Sequence, residues 1–168
     1  MEEYETDLKR IILYNFGLEA IRNQNYIICL EAVRENGLEL KDVKWDELDL
    51  TKEEIENLNM EAVKQNPYAI SYVKEQTDKV CIKALEQSGY AIYEIKNKDK
   101  YIKMFDIRFL EKIEKIITVV AIRINREWLF TVKNEENLSK EEFIYWANSE
   151  KISDKYKQIY LEFANNCK

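Results

Sequence analysis

One short phrase, written more than once, constrains this chain more than any other feature. Ala62-Val63-Lys64-Gln65-Asn66-Pro67-Tyr68-Ala69-Ile70 is followed 22 residues later by Ala84-Leu85-Glu86-Gln87-Ser88-Gly89-Tyr90-Ala91-Ile92. An earlier version begins at Ala32 and a fainter one at Ala121. With these four alanines set at a common zero, five further slots agree. Position −4 holds Ile28, Leu58, Val80 and Ile117, and position +1 holds Val33, Val63, Leu85 and Ile122. Position +4 is Asn36, Asn66, Ser88 and Asn125, position +8 is Leu40, Ile70, Ile92 and Leu129, and position +11 is Val43, Val73, Ile95 and Val132.

Those slots dictate a local structure. Positions −4, 0 and +1 share one face of a helix, and alanine at zero lets a neighbouring helix come close. Asn or Ser at +4 followed by Gly or Pro at +5 is a stop-and-restart signal. The residue before a proline is biased away from helix, proline suits the first turn of the next one, and the Asn side chain caps it. Positions +8 and +11 then form the apolar stripe of a second short helix. Helices of this length are marginal alone and must stack on their neighbours. In the fourth copy Arg126 replaces the Gly or Pro. There Ile116-Ile117-Thr118-Val119-Val120-Ala121-Ile122 reads as a strand by propensity, whereas the repeat register makes it a helix. We follow the register.

Composition supports helices. The 168 residues include only three Gly and one Pro, too few for the turns of an all-β fold. The expectation is an all-α fold of stacked short helical hairpins, an irregular helical-repeat array closed by a C-terminal helix pair. A single all-helical domain would cover 1–168. A helix lies in 1–25 (Leu8, Ile11, Ile12, Phe16 and Ile21 at helical spacing, Gly17 a flaw or break), and repeat-like hairpins fill 26–133. An acidic insert at 44–56 and a basic extension at 96–116 interrupt the hairpins, and C-terminal helices occupy 134–168. Thr51-Lys52-Glu53-Glu54 and Ser139-Lys140-Glu141-Glu142 are capping boxes that each open a helix. Ser153 or Asp154 should cap the last one, with Tyr156, Ile159, Tyr160 and Phe163 on one face.

The repeat resembles the units of the domain of unknown function 4116 family, which run roughly A-V-x-x-N-G-x-A-L. The match is closest over Ala62–Ile92, extends to Ala32–Val43, and covers about half the chain. The resemblance implies a helical fold and supplies no catalytic residues.

The chain contains no histidine, which removes the commonest general base, the usual zinc ligand and the His-based triads. Three glycines leave no Gly-rich phosphate loop. Cys29 and Cys81 both stand at position −3 of their repeats and read as small core residues. Cys167 reads as a free thiol, and no CxxC pair occurs. The acidic start at Met1-Glu2-Glu3 is unlike a secretory leader, and no apolar run is long enough for a membrane span. A cytoplasmic protein of a bacterial cell is expected, and the Lys, Glu, Ile, Asn and Tyr bias suggests an A/T-rich genome or one of its phages. No metal or cofactor is implied.

The net charge of −6 is polarised. Residues 1–60 hold 15 Asp/Glu against 7 Lys/Arg, and the remainder 17 against 19. The acidic insert offers Asp42, Asp46, Glu47, Asp49, Glu53 and Glu54 to a partner with a basic surface. The expected function is non-catalytic protein binding. A concrete form is a phage or mobile-element inhibitor, of anti-defence or anti-CRISPR-like kind, that blocks a host nucleic-acid enzyme.

Two alternatives belong to other classes. The first is nucleic-acid binding through Lys98, Lys100, Lys103, Arg108, Lys112 and Lys115, interleaved with Tyr101, Phe105 and Phe109. Phe105, Phe109 and Ile113 at steps of four favour a helix core face instead. The second is a metal-dependent nuclease built on the triplets Glu39-Leu40-Lys41 or Glu94-Ile95-Lys96. Trp128, Tyr145, Trp146, Tyr156 and Tyr160 are read as core, and any of them exposed together would mark an interface.

Overall fold

The computed structural model describes residues 9–11, 13–14, 16–112, 116–149 and 152–168. The chain divides into two compact units, Met1–Ala84 and Leu85–Lys168.

In the first unit, residues 9–11 and 13–14 are helical, the chain is irregular at Phe16 and Gly17, and Leu18–Ala20 forms a 3-10 turn. The helix expected in 1–25 therefore breaks at Gly17. The first two repeats follow. Helix α1 (Tyr26–Glu35) ends at Asn36 and restarts as the 3-10 helix Gly37–Asp42. Helix α2 (Lys52–Gln65) ends at Asn66 and restarts as the 3-10 helix Pro67–Tyr72. Helix α3 (Asp78–Gln87) ends likewise at Ser88 and restarts as Gly89–Glu94. At each junction the +4 residue is extended, with φ of −144°, −146° and −148°. Its side chain accepts the N–H two residues on, from Leu38, Tyr68 and Tyr90. The second elements are 3-10 rather than α. Three residues per turn bring positions +8 and +11 onto one face, so Leu40 and Val43, and Ile70 and Val73, are buried together.

Copies one and two stack through their backbones. A Cβ built on Gly37 would lie 2.2 Å from the Ala62 carbonyl oxygen. Gln65 bridges the same seam, its Nε2 donating to the Glu35 carbonyl at 3.0 Å and its Oε1 accepting the Gly37 N–H at 2.6 Å. Gly at +5 of the first copy is thus a packing requirement.

The second unit overturns the all-α expectation. It contains a four-stranded antiparallel meander in the order β1-β2-β3-β4: Arg108–Leu110, Val119–Ile124, Glu127–Val132 and Glu135–Ser139. The fourth repeat copy is the β2–β3 hairpin. Ala121 pairs with Phe130, and Asn125 and Arg126 form the two-residue turn with φ of 51° and 72°. Positive φ at both central positions is what a type I′ hairpin turn requires, and Asn tolerates it. The slot that stops a helix in three copies, as Asn36, Asn66 and Ser88, turns a hairpin as Asn125 in the fourth, where the β-branched run fits a pleated surface buried on both sides. The basic extension is also not one helix. Helix α4 (Lys98–Met104) stops before Phe105, Asp106 takes φ 45°, and Phe109 lies on β1. Ile113 lies outside the described residues.

Val119, Ala121, Trp128, Phe130 and Val132 cover one face of the sheet against helices α5 (Lys140–Ala147) and α6 (Asp154–Asn166). Phe130 stacks on Phe143 with ring centres 4.6 Å apart, and Tyr160 meets Phe143 edge-on. On the other face, Gly89 packs against Val120 and Thr131. Both capping boxes form as expected. Ser153 is the N-cap of α6 but makes no side-chain cap bond.

Gly37→Ala should lower stability by about 2 kcal/mol, as a methyl forced against backbone does, and a urea melt measures the fall. Gly17→Ala should cost less, because its new methyl meets only side-chain atoms, the Glu39 carboxylate at 3.0 Å, and no backbone.

Candidate functional site

The insert at 44–56 is a short 3-10 turn (Trp45–Glu47), an extended stretch and the capped start of α2. Its carboxylates do not form one cluster. Asp42 ends the first 3-10 helix, 3.6 Å from the Lys41 ammonium. Asp46 and Glu47 are exposed on the turn and line a shallow cavity of about 220 Å³ with Val43, Lys44, Trp45 and Lys74. Asp49 is exposed on the extended stretch. Glu53 and Glu54 line a separate open hollow with Tyr26, Asn57, Lys64 and Lys79. Glu54 is the bound half of the capping box. Its Oε2 accepts the Thr51 N–H at 2.9 Å and the Thr51 hydroxyl at 2.8 Å. These bonds favour the ionised form and hold its carboxyl below the usual carboxylate range.

Sequence reasoning missed the apolar half of the insert. Trp45, Leu48, Leu50 and Ile55 line a cavity of about 240 Å³ with Asn59 from α2, and Lys74 and Glu75 also line it. Trp45 and Lys74 are common to this cavity and the acidic one beside it. Asn59 is 6% exposed, and its side-chain oxygen is sealed from solvent without a hydrogen-bond partner. A signal for it existed. Asn59 stands at position −3 of its repeat, the slot that holds Cys29 and Cys81 in the neighbouring copies. Both cysteines are buried, as the core reading has it, and burial pushes the Cys29 thiol up to about 11.

The basic candidates are dispersed. Lys98, Lys100 and Lys103 are exposed on α4, Lys112 is exposed beyond β1, and Lys115 lies outside the described residues. Arg108 is committed to the fold. Its guanidinium pairs with Asp106 at 2.8 Å, donates to the Asn166 carbonyl and lies over the Trp128 ring at 4.6 Å. In the nuclease triplets, the Glu39 carboxylate accepts the Leu18 N–H at 2.6 Å and the Asn36 amide at 3.2 Å. Lys96 falls beyond the end of its 3-10 helix. Among the described residues no three His, Cys, Asp or Glu side chains group to hold a metal ion.

The aromatic residues of the second unit separate. Trp128 and Tyr160 are buried, Trp146 and Tyr156 are part-buried, and Tyr145 is 84% exposed. Tyr145 and Trp146 line an open hollow of about 700 Å³ with Glu135, Leu138 and Glu141. No helix among the described residues is long and apolar enough to cross a membrane. No protein-family model, curated protein or solved structure matches this chain.

Glu54, with its carboxyl held low in the folded chain, stabilises above its unfolded value of about 4.3, and that contribution is lost as the pH falls through the lower folded value. Glu54→Gln should therefore show a smaller loss of urea midpoint between pH 7 and pH 3 than the parent chain. An equal loss would detach Glu54 from the acid response.

Proposed function

We propose that this chain is a non-catalytic protein-binding module, and that the insert at 44–56 is its contact surface for a partner with a basic face. One observation carries this reading. The insert places exposed carboxylates at Asp46 and Glu47 around a cavity that shares Trp45 with a second, apolar one. Interfaces draw affinity from buried apolar anchors, and on-rate and selectivity from the charges around them. Both components lie side by side on a frame of stacked repeats. The first three copies, which keep the helix-stop-restart form, are the ones we propose as units of the domain of unknown function 4116 type.

The biological form of this reading is an inhibitor carried by a phage or mobile element, whose acidic surface occupies the phosphate-binding groove of a host nucleic-acid enzyme. Its basis is the acidic N-terminal third of the chain. Direct nucleic-acid binding through residues 96–126 is the less supported reading, since Arg108 is bonded within the fold and the lysines are divided between a helix and the segment after β1.

The combined variant Asp46→Lys, Glu47→Lys and Asp49→Lys tests the reading. With its circular dichroism unchanged, it should lose tenfold or more in affinity for the partner recovered with the parent chain, about 1.4 kcal/mol or more. Undiminished affinity would remove the insert as the contact surface. A parent chain that retards single- or double-stranded nucleic acid at low salt would transfer the function to the basic stretch.

A further inference from the structure

We infer that the cavity lined by Trp45, Leu48, Leu50, Ile55 and Asn59 receives one aromatic side chain that carries its own hydrogen-bond donor, tryptophan above all, from a basic segment of the partner. The inference rests on the binding role proposed for the insert and specifies what that surface recognises.

Size is the first argument. At about 240 Å³ the cavity falls below the roughly 300–1,000 Å³ of ordinary small-molecule sites. It suits a single large side chain, as in a protein interface anchored by one residue.

The second argument is polarity. Four of the lining residues are part-buried and apolar, and Asn59 is the exception in the buried wall. Its oxygen has no partner, although buried acceptors are nearly always satisfied and leaving one unmet is costly. The terminal torsion of an asparagine is soft, so the amide turns toward a donor that enters. Tryptophan N–H and tyrosine O–H need such a partner when buried, whereas phenylalanine brings none.

The third argument is the repeat itself. Position −3 is a buried cysteine in the copies on either side, so stacking alone is served by a small, weakly polar residue. Asn59 departs from the pattern at the one copy whose preceding insert builds a cavity. Charge fixes the flanks of the occupant. Asp46 and Glu47 line the adjoining cavity with Lys44, 4.0 Å from Glu47, and Lys74, and across residues 35–61 the 10 Asp/Glu outnumber 3 Lys. Lysines on either side of the anchor would therefore meet carboxylates.

The test uses the full chain and three peptides, Lys-Lys-Trp-Lys-Lys and its Phe and Ala counterparts, with blocked ends. Binding is followed through the side-chain N–H signals of Trp45 and Asn59 in nitrogen-edited NMR spectra. The Trp peptide should shift both signals to saturation, with the Phe peptide about tenfold weaker, because a site that offers an acceptor rejects a ligand lacking the donor. Asn59→Leu, of similar volume, should raise the melting temperature by removing the unmet oxygen. It should also bring the Trp and Phe affinities to parity. Equal affinity of all three peptides for the parent chain would overturn the inference and leave the charge-based reading of the insert standing. Failure of all three to bind would overturn both. Trp selectivity that persists in Asn59→Leu would remove Asn59 as the recognising group and overturn the inference.

Discussion

The end of each repeat helix sets the terms for the rest of the structure. A helix that stops after three turns leaves carbonyls without partners, and the chain that restarts beyond it brings an N–H to the same place. The Asn or Ser at +4 answers only one of these demands. In the first copy a side-chain amide from the next copy answers the others, since Gln65 takes the Gly37 N–H and donates to the Glu35 carbonyl. In the third copy an asparagine on the sheet does the same work. Asn137 donates to the Leu85 and Glu86 carbonyls and accepts the Gly89 N–H. A helix layer and a β-hairpin thus close the same kind of terminus by the same chemistry.

This equivalence explains how one chain moves from helical repeats to a sheet. Asn137 sits at φ 47°, beside a register shift between β3 and β4, and an irregularity of that kind re-aims a side chain. Thr131 Oγ1 accepts the Gly89 N–H at 2.9 Å and donates to Asn137 at 2.9 Å, so a fully buried polar group is satisfied from both sides. The sheet is buried on both faces for the same reason: the 3-10 helix of the third repeat lies on one, and α5 and α6 on the other.

Against that frame, the first unit's insert holds what packing does not explain. Its acidity was legible, because charged side chains accumulate there without an apolar period of their own. Its apolar residues were visible as letters but not as a group. Trp45, Leu48, Leu50 and Ile55 share no helical or strand spacing, and only the path of the chain between the first 3-10 helix and α2 brings them around Asn59. The basic stretch shows the converse. Six cations near one another in sequence look like a surface, yet Arg108 is withdrawn by Asp106 and Trp128, to which the turn before β1 and the sheet give access.

By itself the sequence determined the features that depend on near neighbours: the helix stops at Asn36, Asn66 and Ser88, the two capping boxes, the burial of Cys29 and Cys81, and the close packing at Ala62. Each follows from side chains acting on backbone within a few residues, or from a slot repeated often enough to reveal its environment. Only the tertiary structure decided the fate of the fourth copy. Its slots suit both a helix-stop-helix and a hairpin, because an Asn at the junction serves either turn and apolar spacings of four satisfy either period. What selected the hairpin was a place for it: α5 and α6 to cover one face, and on the other a third repeat whose open N–H donates to Thr131 and Asn137 and whose open carbonyls accept from Asn137. Those partners stand up to 52 residues away, beyond the reach of any local pattern.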